Sequence, residues 1–407
     1  MRIKVIGGGP AGLLFAMLMK KHDARHEVTV FEQNPPGATY GWGVVFSDVA
    51  LGFIRDIDPE FFAEFTRNHA RCDRMDVVHR GVAVPIRGNG FSRVARIELL
   101  RVLQDNCKRV GVDLRFGLRI DKAGNVGPAD LIVASDGINS PIRESLREHF
   151  EPSLETRRNR FAWYGTPHLF DAVTLIFRPD PAGIFISHTY QYSNDLSTFL
   201  VECSPETWEA AGLDRASDEE SRAYCERVFA DDLQGAPLLS KRSDWFLASV
   251  VRNKRWSKDN IVLLGDALRS VHFSLGSGTR MAMQDAIALY RAVTANQGDI
   301  PAALAAFEAD RRPASDQFQD AAARSLDWYE ALEGKMDLPP VAFAYDYMTR
   351  TGRISHNHIR RMDPEFARAY EQLAVADAAA GPSKVGVVTE LRWREGDGPL
   401  AGKHTSL

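Results

Sequence analysis

The sequence predicts an α/β protein in which a parallel-sheet domain is interrupted by an antiparallel sheet and followed by a helical region. Three observations support this prediction. A short β-branched run at residues 3–6 leads into the glycine-rich stretch 7–12. Short apolar runs separated by turn residues occupy positions 161–202, which is typical of antiparallel strands. A further apolar run at 261–264 is again followed by a glycine-rich loop and a helix-forming segment.

The first 32 residues have the pattern of a dinucleotide-binding, Rossmann-like βαβ unit. Gly7, Gly9 and Gly12 form a complete G-x-G-x-x-G between an apolar strand and a helix-forming segment. Gly7 permits the tight turn, Gly9 lets a pyrophosphate approach the backbone, and Gly12 lets the helix pack on the strand. The helix N-terminus offers free N–H groups to phosphates. Glu32, at the end of the second strand, is placed to accept hydrogen bonds from a ribose.

Length and composition restrict the class of protein. The chain has 407 residues, enough for two or three structural units, and a net charge of −4, which does not favour a nucleic-acid partner. No apolar run approaches the ~20 residues of a membrane span, and a strand begins too early for a signal peptide. Four cysteines lie far apart, and no set of His, Cys, Asp and Glu has metal-ligand spacing. We therefore expect a cytoplasmic enzyme without a metal or a membrane segment.

The segment between the first strand pair and the antiparallel sheet contains two further signals. Glycines alternate with bulky residues around Trp42, which indicates either a backbone that passes close to a flat ligand or an ordinary glycine-rich turn. Residues 75–87 predict a hairpin, followed by a turn at Asn89-Gly90. Residues 96–110 predict a helix. Its first residue, Arg96, opposes the helix dipole, so Arg96 is a candidate ligand contact.

Two polar motifs follow predicted strands of the parallel sheet. Asp136-Gly137 lies where open α/β sheets bind ligands, although it also suits an ordinary capped helix start. Gly265-Asp266 follows the run 261–264, and residues 276–279 open the next helix. The N-terminus of that helix again suits a ligand with partial negative charge.

The three motifs, in this order, resemble the single-component FAD-dependent aromatic hydroxylases of the para-hydroxybenzoate-hydroxylase type. The resemblance implies a glutathione-reductase-like FAD-binding domain with an inserted substrate domain, FAD as the cofactor, and NADH or NADPH as a transient reductant. It assigns FAD binding to Gly7, Gly9, Pro10, Ala11, Gly12, Glu32, Gln33, Arg96, Asp136, Gly137, Gly265, Asp266, Gly276, Gly278 and Thr279.

The strand pattern and this resemblance divide the chain. Residues 1–155 and 256–332 are expected to form the FAD-binding domain, and residues 156–255 the antiparallel-sheet substrate domain. Residues 70–92 are candidates to join the substrate domain, and residues 333–407 form a C-terminal helical tail.

The stretch 272–278 and the tail around 350–358 resemble a subgroup of aryl-CoA hydroxylases, which includes salicylyl-CoA 5-hydroxylase and the N-terminal part of 2-aminobenzoyl-CoA monooxygenase. The surroundings of Trp42 and Trp163 are also similar to the hydroxylase of violacein synthesis. The resemblance implies O₂-dependent hydroxylation of an electron-rich aromatic CoA thioester through a flavin C4a-hydroperoxide. Salicylyl-CoA, giving 2,5-dihydroxybenzoyl-CoA, is the first expectation. The alternatives are 2-aminobenzoyl-CoA, an indole or tryptophan-derived metabolite, and a flavin-binding sensor without turnover.

Candidate residues for the substrate side follow from the chemistry. A group that takes or polarises a phenol proton assists hydroxylation, and strand alternation puts residues 188, 190 and 192 on one face. The catalytic candidates are His188, Tyr190 and His272. The substrate-binding candidates are Trp42, Val45, Phe46, Arg87, Tyr192, Phe273 and Ser274. The phosphates of CoA require arginines, and the candidate clusters are Arg71 with Arg74, Arg87 with Arg93, and residues 157–160. Solvated surface charge is the alternative for each cluster. A homodimer is left open.

Overall fold

The computed structural model describes residues 1–38, 41–47, 51–241, 243–271 and 275–379, and these residues form two β-sheets flanked by helices. The strands of the first sheet are β1 (Arg2–Ile6), β2 (Glu27–Glu32), β6 (Asp113–Phe116), β7 (Leu131–Ala134), β13 (Ser257–Lys258) and β14 (Ile261–Leu263). The strands of the second sheet are β3 (Gly43–Ser47), β4 (Ala70–His79), β5 (Val82–Ala95), β8 (Pro152–Thr166), β9 (Val173–Asp180), β10 (Gly183–Gln191), β11 (Ser197–Cys203) and β12 (Phe246–Asn253). The helices are α1 (Pro10–His22), α2 (Gly52–Ile57), α3 (Pro59–Thr66), α4 (Arg96–Val110), α5 (Pro141–Ser145), α6 (Arg147–Phe150), α7 (Pro205–Ala210), α8 (Asp218–Val228), α9 (Ala230–Leu233), α10 (Gly278–Ala295), α11 (Ile300–Glu330), α12 (Pro340–Thr349), α13 (His356–Met362) and α14 (Pro364–Ala379).

The first sheet has the order β13-β14-β7-β1-β2-β6 and is parallel except at its β13 edge. Strand β7, inside this sheet, is short and apolar, and every one of its residues is buried because helices cover the sheet. The three motifs predicted to bind a nucleotide follow β1, β7 and β14. Since these strands are neighbours and parallel, their carboxyl ends meet at one edge of the sheet, and the motifs meet there too.

The second sheet has the order β12-β8-β11-β10-β9-β4-β5-β3. It is antiparallel except for the β4–β9 pair, which is parallel. The predicted turn at Asn89-Gly90 is wrong, because β5 runs through both residues. The glycine-rich segment after Trp42 is strand β3, which pairs with the end of β5. Glycines inside a strand hide the alternation of apolar and polar residues, so the sequence predicted a turn at Asn89-Gly90 and did not predict a strand after Trp42.

The second sheet packs a separate apolar cluster on each face because successive side chains of a strand point in opposite directions. Phe177 of β9 lies with Phe343 of α12 in the cluster under the C-terminal helices. Ile176 and Phe185 lie in the opposite cluster with Phe229, beside α8. The face that carries Phe177 is the one that continues towards the first sheet. The C-terminal helices therefore support the same sheet face that borders the cavity described below.

Among the described residues, no helix is both long and apolar enough to cross a lipid bilayer. The same residues contain no group of three or more His, Cys, Asp and Glu side chains that could hold a metal ion. All four cysteines are free thiols.

Candidate active site

A cavity of about 530 Å³ lies between the two sheets and is lined by residues from both. The first wall consists of the loops after β1 and β14 together with the start of α10. The second wall is the face of the second sheet, where Trp163, Leu200 and Ala248 supply apolar surface and His188 and Thr198 supply polar groups. The nucleotide motifs and the sheet face therefore share one space, which suits two ligands placed against each other.

The loop between β1 and α1 needs its glycines for two different reasons. Gly7 has φ +102°, and a Cβ there would lie 2.2 Å from the Ser135 carbonyl oxygen. A Cβ at Gly12 would lie 2.4 Å from the Ser135 hydroxyl oxygen. A Cβ at Gly9 would meet no protein atom within 4 Å, because Gly9 faces the cavity. Gly7 and Gly12 thus allow close packing against the end of β7, whereas Gly9 leaves room for a ligand.

The N-terminus of α1 is left open towards this space. Pro10 is its first residue, no side chain caps Gly9, and the first turn contains no acidic residue. The free N–H groups and the positive end of the helix dipole therefore remain available to an anion.

Glu32 at the end of β2 fixes this loop. Its Oε2 accepts a hydrogen bond from the Gly8 N–H at 2.8 Å, and its Oε1 accepts one from the Asn34 N–H at 2.8 Å. Gln33 is exposed, and its side-chain oxygen accepts a hydrogen bond from Arg119 at 3.4 Å. Both predicted residues lie beside the glycine loop but outside the cavity lining.

The Asp136-Gly137 motif contacts the start of α5 through Asp136 and lines the cavity through Gly137. Asp136 Oδ2 accepts a hydrogen bond from the Ile142 N–H at 3.2 Å, in the first turn of α5, while its buried Oδ1 has no partner in the described part of the chain. Burial raises the pKa of the Asp136 carboxyl. The buried Arg143 donates hydrogen bonds to the carbonyls of Ile138 at 2.6 Å and Ala267 at 3.1 Å. This arginine joins the Asp-Gly motif to the Gly-Asp motif.

Arg96, at the start of α4, and Asp266, in the Gly-Asp motif, both line the cavity. The Arg96 side chain is only partly exposed, and it has no hydrogen bond or ion pair with any residue in the ranges described above. Burial lowers the pKa of the Arg96 guanidinium and raises the pKa of the Asp266 carboxyl, and the attraction between the two groups opposes both shifts. An enclosed guanidinium without a partner is costly unless a ligand supplies an acceptor.

The N-terminus of α10 forms the remainder of the first wall. Residues 276–279 line the cavity, and no side chain caps the helix. A Cβ at Gly276, which has φ +59°, would lie 3.5 Å from Val45. The helix is held by its buried Asp285, which pairs with Arg269 at 2.6 Å and Arg311 at 2.9 Å. A buried ion pair with two arginines fixes the position of α10 and hence of its N–H groups.

On the second wall, His188 pairs with a buried carboxylate. Its Nε2 lies 2.9 Å from Glu202 Oε2, and Glu202 is 0% exposed. The other carboxylate oxygen, Oε1, accepts a hydrogen bond from the Asn159 side chain at 2.7 Å. Tyr190, two residues from His188, donates its hydroxyl hydrogen bond to the Gly43 carbonyl at 3.0 Å. Burial raises the pKa of the Tyr190 hydroxyl, which suits a positioning role better than that of a base.

Comparison with known proteins agrees with this arrangement. Residues 1–322 match a family model described as an FAD binding domain. The chain is an FAD-dependent aromatic monooxygenase. A salicyloyl-CoA 5-hydroxylase of Streptomyces sp is 35% identical over 400 residues, covering 94% of this chain and 76% of that protein. A 3-hydroxy-4-methyl-anthranilyl-[aryl-carrier protein] 5-monooxygenase of Streptosporangium sibiricum is 35% identical over 355 residues, covering 87% of this chain and 95% of that protein. The tetrameric form of 2-methyl-3-hydroxypyridine-5-carboxylic acid oxygenase has the same fold, with a TM-score of 0.68 and 18% identity over 88% of this chain and 97% of that one.

These findings confirm the predicted family, fold class and cofactors, namely FAD with NADH or NADPH as reductant. Independently of these comparisons, the residues that line the cavity of this monooxygenase fit FAD. Gly9 leaves space, the N-termini of α1 and α10 are uncapped, and Arg96 lacks an acceptor. We therefore expect the residues of the first wall to hold FAD.

The structure brings most of the predicted site residues of the monooxygenase to the cavity. Those that line it are Gly9, Pro10, Ala11, Gly12, Val45, Arg96, Gly137, His188, Tyr190, Gly265, Asp266, Gly276, Gly278 and Thr279. Gly7, Glu32, Gln33 and Asp136 lie outside this lining and make the contacts described above. His272, Phe273 and Ser274 lie outside the described residues.

Four predicted substrate contacts do not reach the cavity. Trp42 lies behind Trp163 and donates a hydrogen bond to its carbonyl at 3.2 Å, because the glycines around Trp42 make room for protein. Phe46 is a core residue of β3, and Tyr192 packs over Gly43, where a Cβ would lie 2.7 Å from its side chain. Arg87 lies towards the C-terminal helices, where its backbone N–H donates to Asp363 at 2.7 Å.

Sequence reasoning missed the partners of His188, although one signal was present. Every residue of β11 is buried, and Glu202 is the charged residue in that apolar strand. A carboxylate in such a strand requires a polar partner, and the antiparallel neighbour β10 is the place to look for one. Trp163 was noted only for its resemblance to a known enzyme, yet it lines the cavity and donates a hydrogen bond to the Thr198 hydroxyl at 2.6 Å.

Proposed function

We propose that this monooxygenase hydroxylates the electron-rich ring of an aromatic CoA thioester, and that salicylyl-CoA, giving 2,5-dihydroxybenzoyl-CoA, is its substrate. The observation that carries the proposal is the shared cavity, in which the glycine-rich loops face an apolar sheet wall that contains the His188–Glu202 pair. Two relatives with 35% identity are named for substrates joined to CoA or to an aryl-carrier protein, which supports a thioester.

Bound FAD, reduced by NADH or NADPH, would supply the activation of O₂. The apolar side chains of Trp163, Leu200 and Ala248 exclude water from the ring and place it against the first wall. The hydrogen bond from Trp163 to Thr198 keeps the indole in one orientation. Tyr190 holds the backbone of β3 at Gly43, so that Val45 stays opposite Gly276. These residues bind and orient the two partners in the reaction.

His188 is the group that can receive the proton of the substrate phenol. Removing this proton raises the electron density of the ring at the carbon para to the hydroxyl, which is carbon 5 of a salicyl group. Glu202 stabilises the positive charge that His188 acquires, and Asn159 holds Glu202 in place. His188 thus accepts the proton of the phenol, while Glu202 and Asn159 orient His188.

The substrate is tested by comparing salicylyl-CoA with free salicylate in the purified holoenzyme. We expect the thioester to stimulate NADH or NADPH oxidation at least about tenfold more than the free acid, with one hydroxylated product per reductant consumed. Equal stimulation by both compounds would contradict the thioester. A stronger response to 2-aminobenzoyl-CoA or to tryptophan would replace salicylyl-CoA by that substrate. Indifference to every aromatic compound would favour the sensor.

The role of His188 is tested with His188→Asn, using His358→Asn as the control because His358 is exposed on α13. We expect His188→Asn to lower hydroxylation about 10²-fold or more with normal FAD content, as for loss of a general base. Unchanged hydroxylation in His188→Asn would remove this role.

A further inference from the structure

Three arginines gather beside the start of α10 without a carboxylate partner. Arg280 lies in the first turn of α10, Arg324 lies on α11, and Arg353 lies between α12 and α13. The guanidinium carbons of Arg280 and Arg353 are 5.5 Å and 5.4 Å from the centre of the Phe318 ring. Arg324 donates a hydrogen bond to the Thr351 carbonyl at 2.7 Å, two residues before Arg353. We call these three residues the arginine cluster; none of them forms a salt bridge within the described part of the chain.

The charges of the arginine cluster repel one another. Burial lowers the pKa of the Arg280 guanidinium, and the positive charges of Arg353 and Arg311 lower it further. Arg311 adds less to this repulsion than Arg353 does, and its own charge is paired with Asp285 at 2.9 Å. An anion bound between the guanidinium groups would turn this repulsion into attraction, and phosphate matches the forked geometry of arginine.

The arginine clusters predicted from the sequence contrast with this one. Arg74 pairs with Asp76 at 3.1 Å and with Asp171 at 2.8 Å. Arg157 pairs with Glu155 at 2.6 Å and with Glu330 at 2.9 Å. These carboxylates neutralise Arg74 and Arg157 and would repel a phosphate. Arg93 is buried and donates hydrogen bonds to the Phe170 and Asp171 carbonyls at 3.2 Å and 3.3 Å. Arg280, Arg324 and Arg353 differ from Arg74 and Arg157 because no carboxylate among the described residues pairs with them.

Position connects the arginine cluster to the active site. Gly278 and Thr279 line the cavity, and Arg280 is the next residue of the same helical turn. A CoA thioester has its reacting ring and its phosphates at opposite ends of a flexible arm. We propose that the arginine cluster binds the phosphate groups of the CoA part of the substrate while the aromatic ring lies against the sheet wall. The choice of CoA rests on the proposed function.

Direct binding of free CoA to the holoenzyme tests the arginine cluster without requiring turnover. Titration calorimetry would compare the unmodified protein with Arg280→Gln and Arg353→Gln. The control is Arg291→Gln, since Arg291 is exposed on the same helix and the change in charge is identical. We expect Kd to rise about tenfold or more in the two cluster variants and to stay within about twofold in the control. Absence of CoA binding, or equal Kd values in all variants, would overturn the proposal even if the enzyme hydroxylates thioesters.

A truncated substrate locates the effect on the phosphates. The pantetheine thioester of salicylate has the same ring and thioester but no phosphate. We expect the KM of the cluster variants for salicylyl-CoA to be about tenfold higher than that of the unmodified enzyme, and this difference to be smaller at high salt. For the pantetheine thioester, we expect the variants and the unmodified enzyme to have the same KM. If the variants instead raised KM for NADH or NADPH alone, the cluster would belong to the reductant and the proposal would be wrong. If no thioester were hydroxylated while CoA still bound through the cluster, only the proposed function would fail.

Discussion

The wall of the cavity that carries the glycine-rich loops is mostly backbone, with Arg96 and Asp266 as charged side chains, whereas the wall formed by the eight-stranded sheet is made of side chains. On the first wall, Gly7 and Gly12 are present because a Cβ would overlap Ser135, and ligand contacts are left to uncapped helix N-termini. On the second wall, His188, Glu202 and Trp163 come from three different strands. The first wall is therefore sensitive to added atoms, and the second to lost functional groups.

This difference separates two kinds of specificity. A backbone wall recognises the phosphates that all dinucleotides share, since N–H groups and a helix dipole do not distinguish between attached groups. A side-chain wall changes its chemistry with every substitution, so it is the wall on which related enzymes can differ in their substrates. The experiments below either sharpen this contrast or break it.

The largest expected effect is that of Gly7→Ala compared with Gly9→Ala. Alanine at position 7 must adopt φ +102° and place its Cβ 2.2 Å from a carbonyl oxygen, so we expect loss of at least about 2 kcal/mol of unfolding free energy or no folded protein. Alanine at position 9 meets no protein atom within 4 Å, so the apoprotein should keep its stability and lose FAD affinity. Chemical denaturation and the flavin absorbance of the purified variants measure the two effects. Equal stability losses at both positions would break the contrast between packing and ligand space.

Arg96→Ala is expected to have the next largest effect. Because its guanidinium is enclosed and has no partner among the described residues, its removal should weaken FAD retention about tenfold to a hundredfold. The apoprotein should melt at nearly the same temperature, since the side chain has no hydrogen bond or ion pair among the described residues to lose. Arg291→Ala, on the exposed side of α10, is the matched control. A fully flavin-loaded, active Arg96→Ala protein would remove Arg96 from the FAD site.

The backbone wall could be predicted from the sequence because its requirements are local. A strand, a glycine turn and a helix follow one another within a few residues, and each has its own sequence pattern. The predicted helix 96–110 agrees with Arg96–Val110 for the same reason, since its apolar periodicity is contained in one segment.

The side-chain wall could not be predicted to the same extent because it depends on the register between distant strands. Trp42 and Trp163 illustrate this limit, since Trp42 lies between two glycines and Trp163 lies two residues before Gly165. A Cβ at Gly165 would lie 2.8 Å from the Trp42 ring, and a Cβ at Gly41 would lie 2.7 Å from the Trp163 ring. Each glycine makes room for the tryptophan of the other segment. The sequence shows that space is needed at both places, but only the paired strands show that it is filled by protein and that Trp163 borders the cavity.

Glu202→Gln is expected to have the smallest of these effects, and it tests the polar pair on the side-chain wall. Glutamine has nearly the same shape and can still hydrogen-bond to Asn159 and His188, so the unfolding free energy should change by no more than about 1 kcal/mol. The negative charge that stabilises a positively charged His188 is lost, so we expect hydroxylation to fall about tenfold.

Glu206→Gln provides the matched control because this carboxylate is exposed and pairs only with the exposed Arg158 among the described residues. Its hydroxylation rate should equal that of the unmodified enzyme. If Glu202→Gln also kept its rate, the carboxylate would merely fill space under the sheet. His188 and Glu202 lie on neighbouring strands with their side chains on the same face. In that case the side-chain wall would be as insensitive to the loss of a functional group as the backbone wall, and the contrast between the two walls would fail.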